Sequence, residues 1–154
     1  MKFLVVAVGH RMPAWVDAGF AEYAGRMPRE SRVKLVELKP ALRAGPIPRA
    51  LQAESQRILA ALPAGCIKVA LDERGTAFAT TALAQRIARW REAGRDVAFI
   101  VGGADGLSED VKRSADLVWS LSPLTLPHGL ARVVLAEQLY RAASILHNHP
   151  YHRG

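Results

Sequence analysis

The stretch that most constrains this chain is Val97-Ala98-Phe99-Ile100-Val101, which runs from Asp96 directly into Gly102 and Gly103. Apolar side chains at every position, rather than at every second one, leave no face to offer to water. Such a segment fits the middle of a sheet covered on both sides. Sheets of that kind are parallel, because helical crossovers supply the covers. The segment therefore predicts an α/β architecture.

The rest of the chain agrees with it. Strands are expected at 2–8, 32–38, 66–71, 96–101 and 117–121. Helices are expected at 14–25, 48–62, 79–93, 108–115 and 128–147. The first helix sets Trp15, Ala18, Phe20 and Tyr23 near helical spacing. Leu83, Ile87 and Trp90 share one face of the third helix. Residues 32–38 alternate polar and apolar, as a half-exposed strand does. Ser108 can cap the fourth helix, with Glu109 and Asp110 in its first turn. Between the second strand and second helix lies a loop at 39–48 with three prolines and a glycine, read as mobile, and basic through Lys39, Arg43 and Arg49. This order predicts a mostly parallel sheet with helices on both faces, in a single domain spanning 1–154.

The final helix has an unusual surface. Arg132, Glu137, Gln138, Arg141 and Ser144 make only a narrow polar band, and apolar residues cover most of the remaining circumference. A helix like this is buried on more than one side. It is either a central core helix or a core helix shared with a partner subunit.

The 21 Lys and Arg outnumber the 14 Asp and Glu, for a net charge of +7. That excess favours polyanions, nucleic acid before anionic membrane. No apolar run approaches the roughly 20 residues of a membrane helix. The opening run ends at Gly9-His10-Arg11 without a small-residue cleavage site, so a buried strand is expected there rather than a signal peptide. A cytoplasmic protein is expected. The lone Cys66 precludes an internal disulfide and reads as a buried structural thiol. Three of the five histidines sit in the tail, but their spacing around Pro150 does not suit zinc, and no metal is expected.

Three segments stand where ligands bind in open α/β folds, beyond the carboxyl ends of strands. Gly102-Gly103-Ala104-Asp105-Gly106 matches neither the dinucleotide fingerprint nor a P-loop. It is either a ligand turn or a plain strand-to-helix turn. Leu71-Asp72-Glu73-Arg74-Gly75 reads as a turn whose Asp72 suits a ribose or a sulfonium cation, or else as solvated charge. Ser120 to His128 is apolar yet broken by Pro123 and Pro127, so its backbone N–H and C=O groups need partners. An adenine edge and a methionine moiety fit such a loop; a self-satisfied connection is the alternative. The tail, His147 to Arg153, offers Tyr151 to stack on a base and Arg153 to meet a phosphate, or is a frayed terminus. No nucleophile motif is present. A non-catalytic RNA-binding protein and an enzyme acting on a phosphorylated metabolite both remain compatible with these pieces.

Four motifs taken together are more specific: Val6-Ala7-Val8-Gly9 with Met12-Pro13-x-Trp15; Phe99-Ile100-Val101-Gly102-Gly103-Ala104-Asp105-Gly106-Leu107; Trp119-Ser120-Leu121-Ser122-x-Leu124-Thr125-Leu126-Pro127-His128; and Asn148-His149-Pro150-Tyr151-His152. With these the chain resembles the ribosomal RNA large subunit methyltransferase H family of the SPOUT class over nearly its whole length. The resemblance implies a C-terminal trefoil knot, which general topology rules disfavour. It implies a homodimer, S-adenosylmethionine as cofactor, and N3-methylation of a pseudouridine in helix 69 of 23S rRNA on the assembled ribosome. The implied cofactor-binding residues are Leu71, Gly103, Ser122, Pro123, Leu124, Thr125, Leu126 and Pro127. The tail is implied to lie near the partner's site. There His152 is the candidate base and Arg153 the candidate anion stabiliser, with His128 as an alternative base. Tyr151, Arg26 and Arg29 are candidate substrate contacts, within a basic group that includes Arg32, Lys34, Lys39 and Arg43.

Overall fold

The computed structural model describes residues 1–153. Its strands are β1 (Phe3–Val8), β2 (Val33–Leu38), β3 (Ile67–Ala77), β4 (Val97–Val101) and β5 (Leu117–Ser120). Its helices are α1 (Ala14–Ala24), α2 (Ile47–Ala61), α3 (Thr80–Glu92), α4 (Glu109–Ser114) and α5 (His128–Leu146). Short 3-10 turns follow at Arg29–Ser31 and Pro150–Arg153. The strands form one sheet in the order β2-β1-β4-β3-β5, and every pairing is parallel.

Alternation along each strand sorts the core into two layers. Phe3, Val5 and Ala7 of β1, with Phe99 and Val101 of β4, face α1, α3 and α5. Val6, Val8 and Ile100 face the other way, onto Ile58 of α2 and Val111 of α4. All five β4 residues are buried, as a strand apolar at every position requires. The half-polar β2 lies at a sheet edge and is buried only in part. Ser108 does cap α4, accepting from the Val111 N–H at 3.2 Å. Cys66 is buried, and burial pushes its thiol pKa up.

The structure departs from expectation at four places. Strand β3 continues to Ala77 instead of turning after Leu71. Leu71 and Thr76 both register with Trp119 of β5, so 72–75 bulge out between them. Gly75 allows this, because a side chain there would meet the Val118 carbonyl oxygen at 2.6 Å. On α1 the buried residues are Val16 and Phe20, whereas Trp15 and Ala18 face solvent. The loop at 39–46 is tied down: Arg57 donates to the Lys39 carbonyl at 2.6 Å, and Arg43 to carboxylates at 2.8 and 2.9 Å. Finally, Arg132 does not belong to a solvent band on α5 but is wholly buried.

Helix α5 backs the sheet along its whole length, and none of its residues is fully open to solvent. Arg132 ties it to the strand ends. Its Nη1 donates to Glu37 of β2 at 2.6 Å and its Nη2 to the Gly9 carbonyl, just past β1, at 2.9 Å. The Glu37 side chain keeps about a third of its exposure, so it can reach water if left alone; the guanidinium cannot. Removing the anion should therefore hurt more than removing the cation. Glu37→Leu is expected to cost about 3 kcal/mol, and Arg132→Met about half of that, as read by chemical denaturation.

Candidate functional site

Because the strands run parallel, the segments leaving β4 and β5 emerge on one edge of the sheet, beside the bulge at 72–75 within β3. Together with the first turn of α5 they enclose a cleft of about 690 Å³. The turn at 102–106 forms one wall. A side chain at Gly102 would lie 2.6 Å from the Gly106 carbonyl carbon, so the chain can fold back on itself only as glycine. A Gly106 N–H to Gly103 carbonyl bond of 3.1 Å closes that turn.

The interior is apolar, formed by Leu71, Val101, Leu107, Leu121, Leu126 and Pro127. The rim is charged. Burial pushes the Asp72 carboxyl pKa up, but bonds from the Arg74 N–H and the Lys112 ammonium outweigh it and hold the group below its ordinary range. Lys112 also pairs with Glu109 at 2.9 Å, and its own pKa is raised. Thr125 donates its hydroxyl to Glu73 at 2.6 Å, linking the β3 bulge to the loop after β5. In that loop Leu124 N–H bonds the Ser122 hydroxyl at 3.0 Å. The N–H groups of Thr125 and Leu126 have no partner among the described residues. An apolar slot with free backbone donors and a carboxylate rim suits a flat heterocycle joined to a cationic group.

Of the residues expected to bind a cofactor, Leu71, Gly103, Ser122, Leu124, Thr125, Leu126 and Pro127 all line this cleft, and His128 joins them. Pro123 does not. Glu73 and Asp105 fall within the segments marked from the sequence, whereas Lys112 of α4 does not, since a charged residue on a short helix carries no mark of which neighbour it will meet.

The other expected residues gather elsewhere. Helix α5 begins at the cleft and runs back for about 27 Å at 1.5 Å per residue, and the tail folds back onto it, bonding at Ser144 and reaching Glu137. Tyr151 donates to Glu137 at 2.7 Å and its ring lies 4.5 Å from that of Tyr140. The guanidinium of Arg26 lies 5.2 to 5.9 Å from the rings of Tyr23, Tyr140 and Tyr151, and that of Arg141 lies 4.8 Å from Tyr151. His152 sits with Nδ1 3.3 Å from the Ser144 hydroxyl. Arg29 is exposed, and it is the next residue, Glu30, that approaches His147 at 3.8 Å. Arg26, Tyr151 and His152 thus gather in a second cationic and aromatic cluster, apart from the lining of the cleft of their own chain, and Arg29 is not brought into it.

The family model described as "Predicted SPOUT methyltransferase" matches residues 1–152. The chain is 56% identical over 156 residues to the ribosomal RNA large subunit methyltransferase H of Burkholderia multivorans, covering 100% of both chains. It is 56% identical over 155 residues to the protein of the same name from Nitrosomonas eutropha, again covering 100% of both. Among solved structures, a probable methylase family protein from Haemophilus influenzae superposes with a TM-score of 0.55 at 14% identity, over 97% of this chain and 69% of that one. A putative methylase family protein from Neisseria gonorrhoeae gives 0.55 at 15% identity, over 90% and 81%. These two likenesses concern the fold.

The docked tail sets a pH window. Burial pushes the Glu137 carboxyl pKa up, but bonds from Arg141 and Tyr151 more than reverse this, and the net shift is downward. A depressed carboxylate pKa stabilises above the unfolded value near 4.5 and is lost as pH falls through the folded value. The Tyr151 pKa is raised, first by burial and then by Glu137. Its contribution is complete below about 10 and is lost only as pH rises through the folded value. The tail should stay docked across neutral pH and detach on acidification before the sheet melts. Hydrogen exchange at 147–153 against pH reads this, and Tyr151→Phe should raise exchange there at pH 7.

Proposed function

The chain belongs to the SPOUT methyltransferase family and is an rRNA methyltransferase, and we propose that it methylates N3 of a pseudouridine in helix 69 of 23S rRNA on the assembled ribosome. The observation that carries the reading is the cleft, which brings two of the motifs, at 99–107 and 119–128, together with 71–74. The cofactor is S-adenosylmethionine, whose sulfonium supplies an electrophilic methyl group and a good leaving group. Leu71, Leu126 and Pro127 would hold its adenine, the free Thr125 and Leu126 N–H groups its edge, and the carboxylates of Asp72 and Glu73 its cationic end.

What remains for the protein is to align the acceptor and to remove the N3 proton. His152 is assigned as the base that takes this proton, with Arg153 stabilising the imide anion. His128 at the cleft is the alternative base. His152 packs at Ser144, about 24 Å of helix rise beyond His128 at the cleft, so the tail's chemistry is better placed to serve the cleft of a second subunit. A homodimer is therefore part of the proposal, each site combining one subunit's cleft with the other's tail. The half-buried apolar residues Leu130, Val133 and Val134 of α5 support it, because a single chain leaves them partly covered. Tyr151, Arg26 and Arg29 would then meet the RNA where the partner's cofactor opens. A cytoplasmic location follows from the ribosomal substrate. No helix among the described residues is long and apolar enough to cross a membrane.

Mixed dimers test this arrangement. Leu124→Arg should block the exposed mouth of the cleft, and His152→Ala with Arg153→Ala should disable the tail. Each variant alone should be inactive on ribosomes. Co-refolded in equal amounts they should regain about a quarter of wild-type activity, because half the dimers carry one intact site of two. No recovery would refute sharing between subunits, and full activity of the tail variant would remove His152 and Arg153 from the chemistry. Ribosome affinity should also fall with salt, by a log–log slope of about 0.7 to 0.9 per phosphate contacted. A flat response would exclude Arg26 and Arg29 as phosphate contacts.

A further inference from the structure

The glycine wall of the cleft is held from outside the cleft. Asp105, on its rim, accepts from Arg43 Nε at 2.8 Å. The same guanidinium donates through Nη1 to Glu54 at 2.9 Å and to the Ala41 carbonyl at 3.0 Å. Glu54 lies within α2 with only 3% of its side chain exposed, and it also accepts from the Ala41 N–H at 2.9 Å. Its second oxygen is buried without a partner. One residue on, the Ser55 hydroxyl meets that of Ser108, the cap of α4, at 2.5 Å. Helix α2 therefore grips the 102–108 segment at two points, on either side of Gly106.

A buried carboxylate that is half satisfied is costly, and a hydrophobic residue of similar size would serve the core better. Its presence calls for a task other than packing. The turn supplies one. Glycines leave the backbone free to sample many conformations, and a single internal hydrogen bond opposes that freedom. A wall that must be in place before a ligand arrives gains affinity from being fixed in advance.

We propose that Glu54 and Arg43 are positioning residues of the cofactor site: Glu54 orients Arg43, which holds Asp105 and thereby braces the 102–106 turn in its ligand-ready shape. The loop at 39–46 is the strap that carries Arg43 across from β2. This rests on the reading of the cleft as the S-adenosylmethionine site.

The test is calorimetric titration of S-adenosylmethionine into wild type, Arg43→Gln, Asp105→Asn and the double variant, beside amide hydrogen exchange of 102–107 without ligand. Each single variant should bind about tenfold more weakly, a usual size for coupling between separate sites. The double variant should be no weaker than either, because both changes cut one linkage. Exchange at 103–107 should quicken in all three. For Arg43→Gln, KM for the cofactor should rise while kcat at saturation holds, whereas a merely structural role would lower the melting temperature and leave KM alone. Binding within twofold of wild type with unchanged exchange would overturn the proposal, as would additive losses in the double variant. If Arg43→Gln does not fold, Arg43→Lys, which keeps the charge but not the fork that spans Glu54 and Asp105, takes its place, with the same loss of affinity and faster exchange expected. If wild type itself fails to bind, the cofactor reading falls, and the exchange data alone decide the brace.

Discussion

Five strands that all run the same way leave every carboxyl end on one edge of the sheet, and the rest of the molecule is arranged around that constraint. Each return to the starting edge needs a crossover, which is why helices coat both faces and why β4 is buried on both sides. The segments that leave β4 and β5 converge there with the bulge of β3. A cleft at this edge is thus a product of direction. The particular residues decide only how deep it is and what charge it carries.

Helix α5 runs back from this edge. It starts in the cleft wall with His128 and ends beneath the tail, where Ser144 touches His152. The two places with chemical character therefore lie at the two ends of one rigid element. Arg132, one turn into that helix, locks its first turn to the ends of β1 and β2. The burial of a guanidinium is costly, and the return is a fixed relation between the start of the helix, which lines the cleft, and the ends of β1 and β2. Glu54 repeats the device on the opposite face of the sheet, through Arg43. Among the described residues the two buried charges, Arg132 and Glu54, each tie a helix to a segment of another element.

The gap between cleft and tail also bears on why the last helix is so apolar. Within one chain α5 packs against α1, α3 and the sheet, and this explains Leu135 and Leu139. It leaves Leu130, Val133 and Val134 only partly covered. A second subunit that covers them and brings its tail to this cleft would answer both observations at once.

The sequence by itself determined the architecture and the cleft. Unbroken apolar runs have only one way to be buried, prolines and glycines mark where regular structure stops, and strand direction then assigns Leu71, Gly103 and Ser122 to Pro127 to one edge. Those signals are local, so they survive without coordinates. The four motifs likewise carried the family, since their residues stand close together in the chain. What only the tertiary structure decided were relations between distant positions. The bulge at 72–75 follows from β3 pairing twice with Trp119, and nothing in Asp72-Glu73-Arg74-Gly75 announces it. Arg132 looks like one member of a narrow polar band until Glu37, 95 positions away, is seen to receive it. Arg43 looks like one charge in a loose basic loop until Asp105 and Glu54 close around it. A charged side chain is equally at home in water or in a buried pair, and only the fold supplies the partner that decides between them.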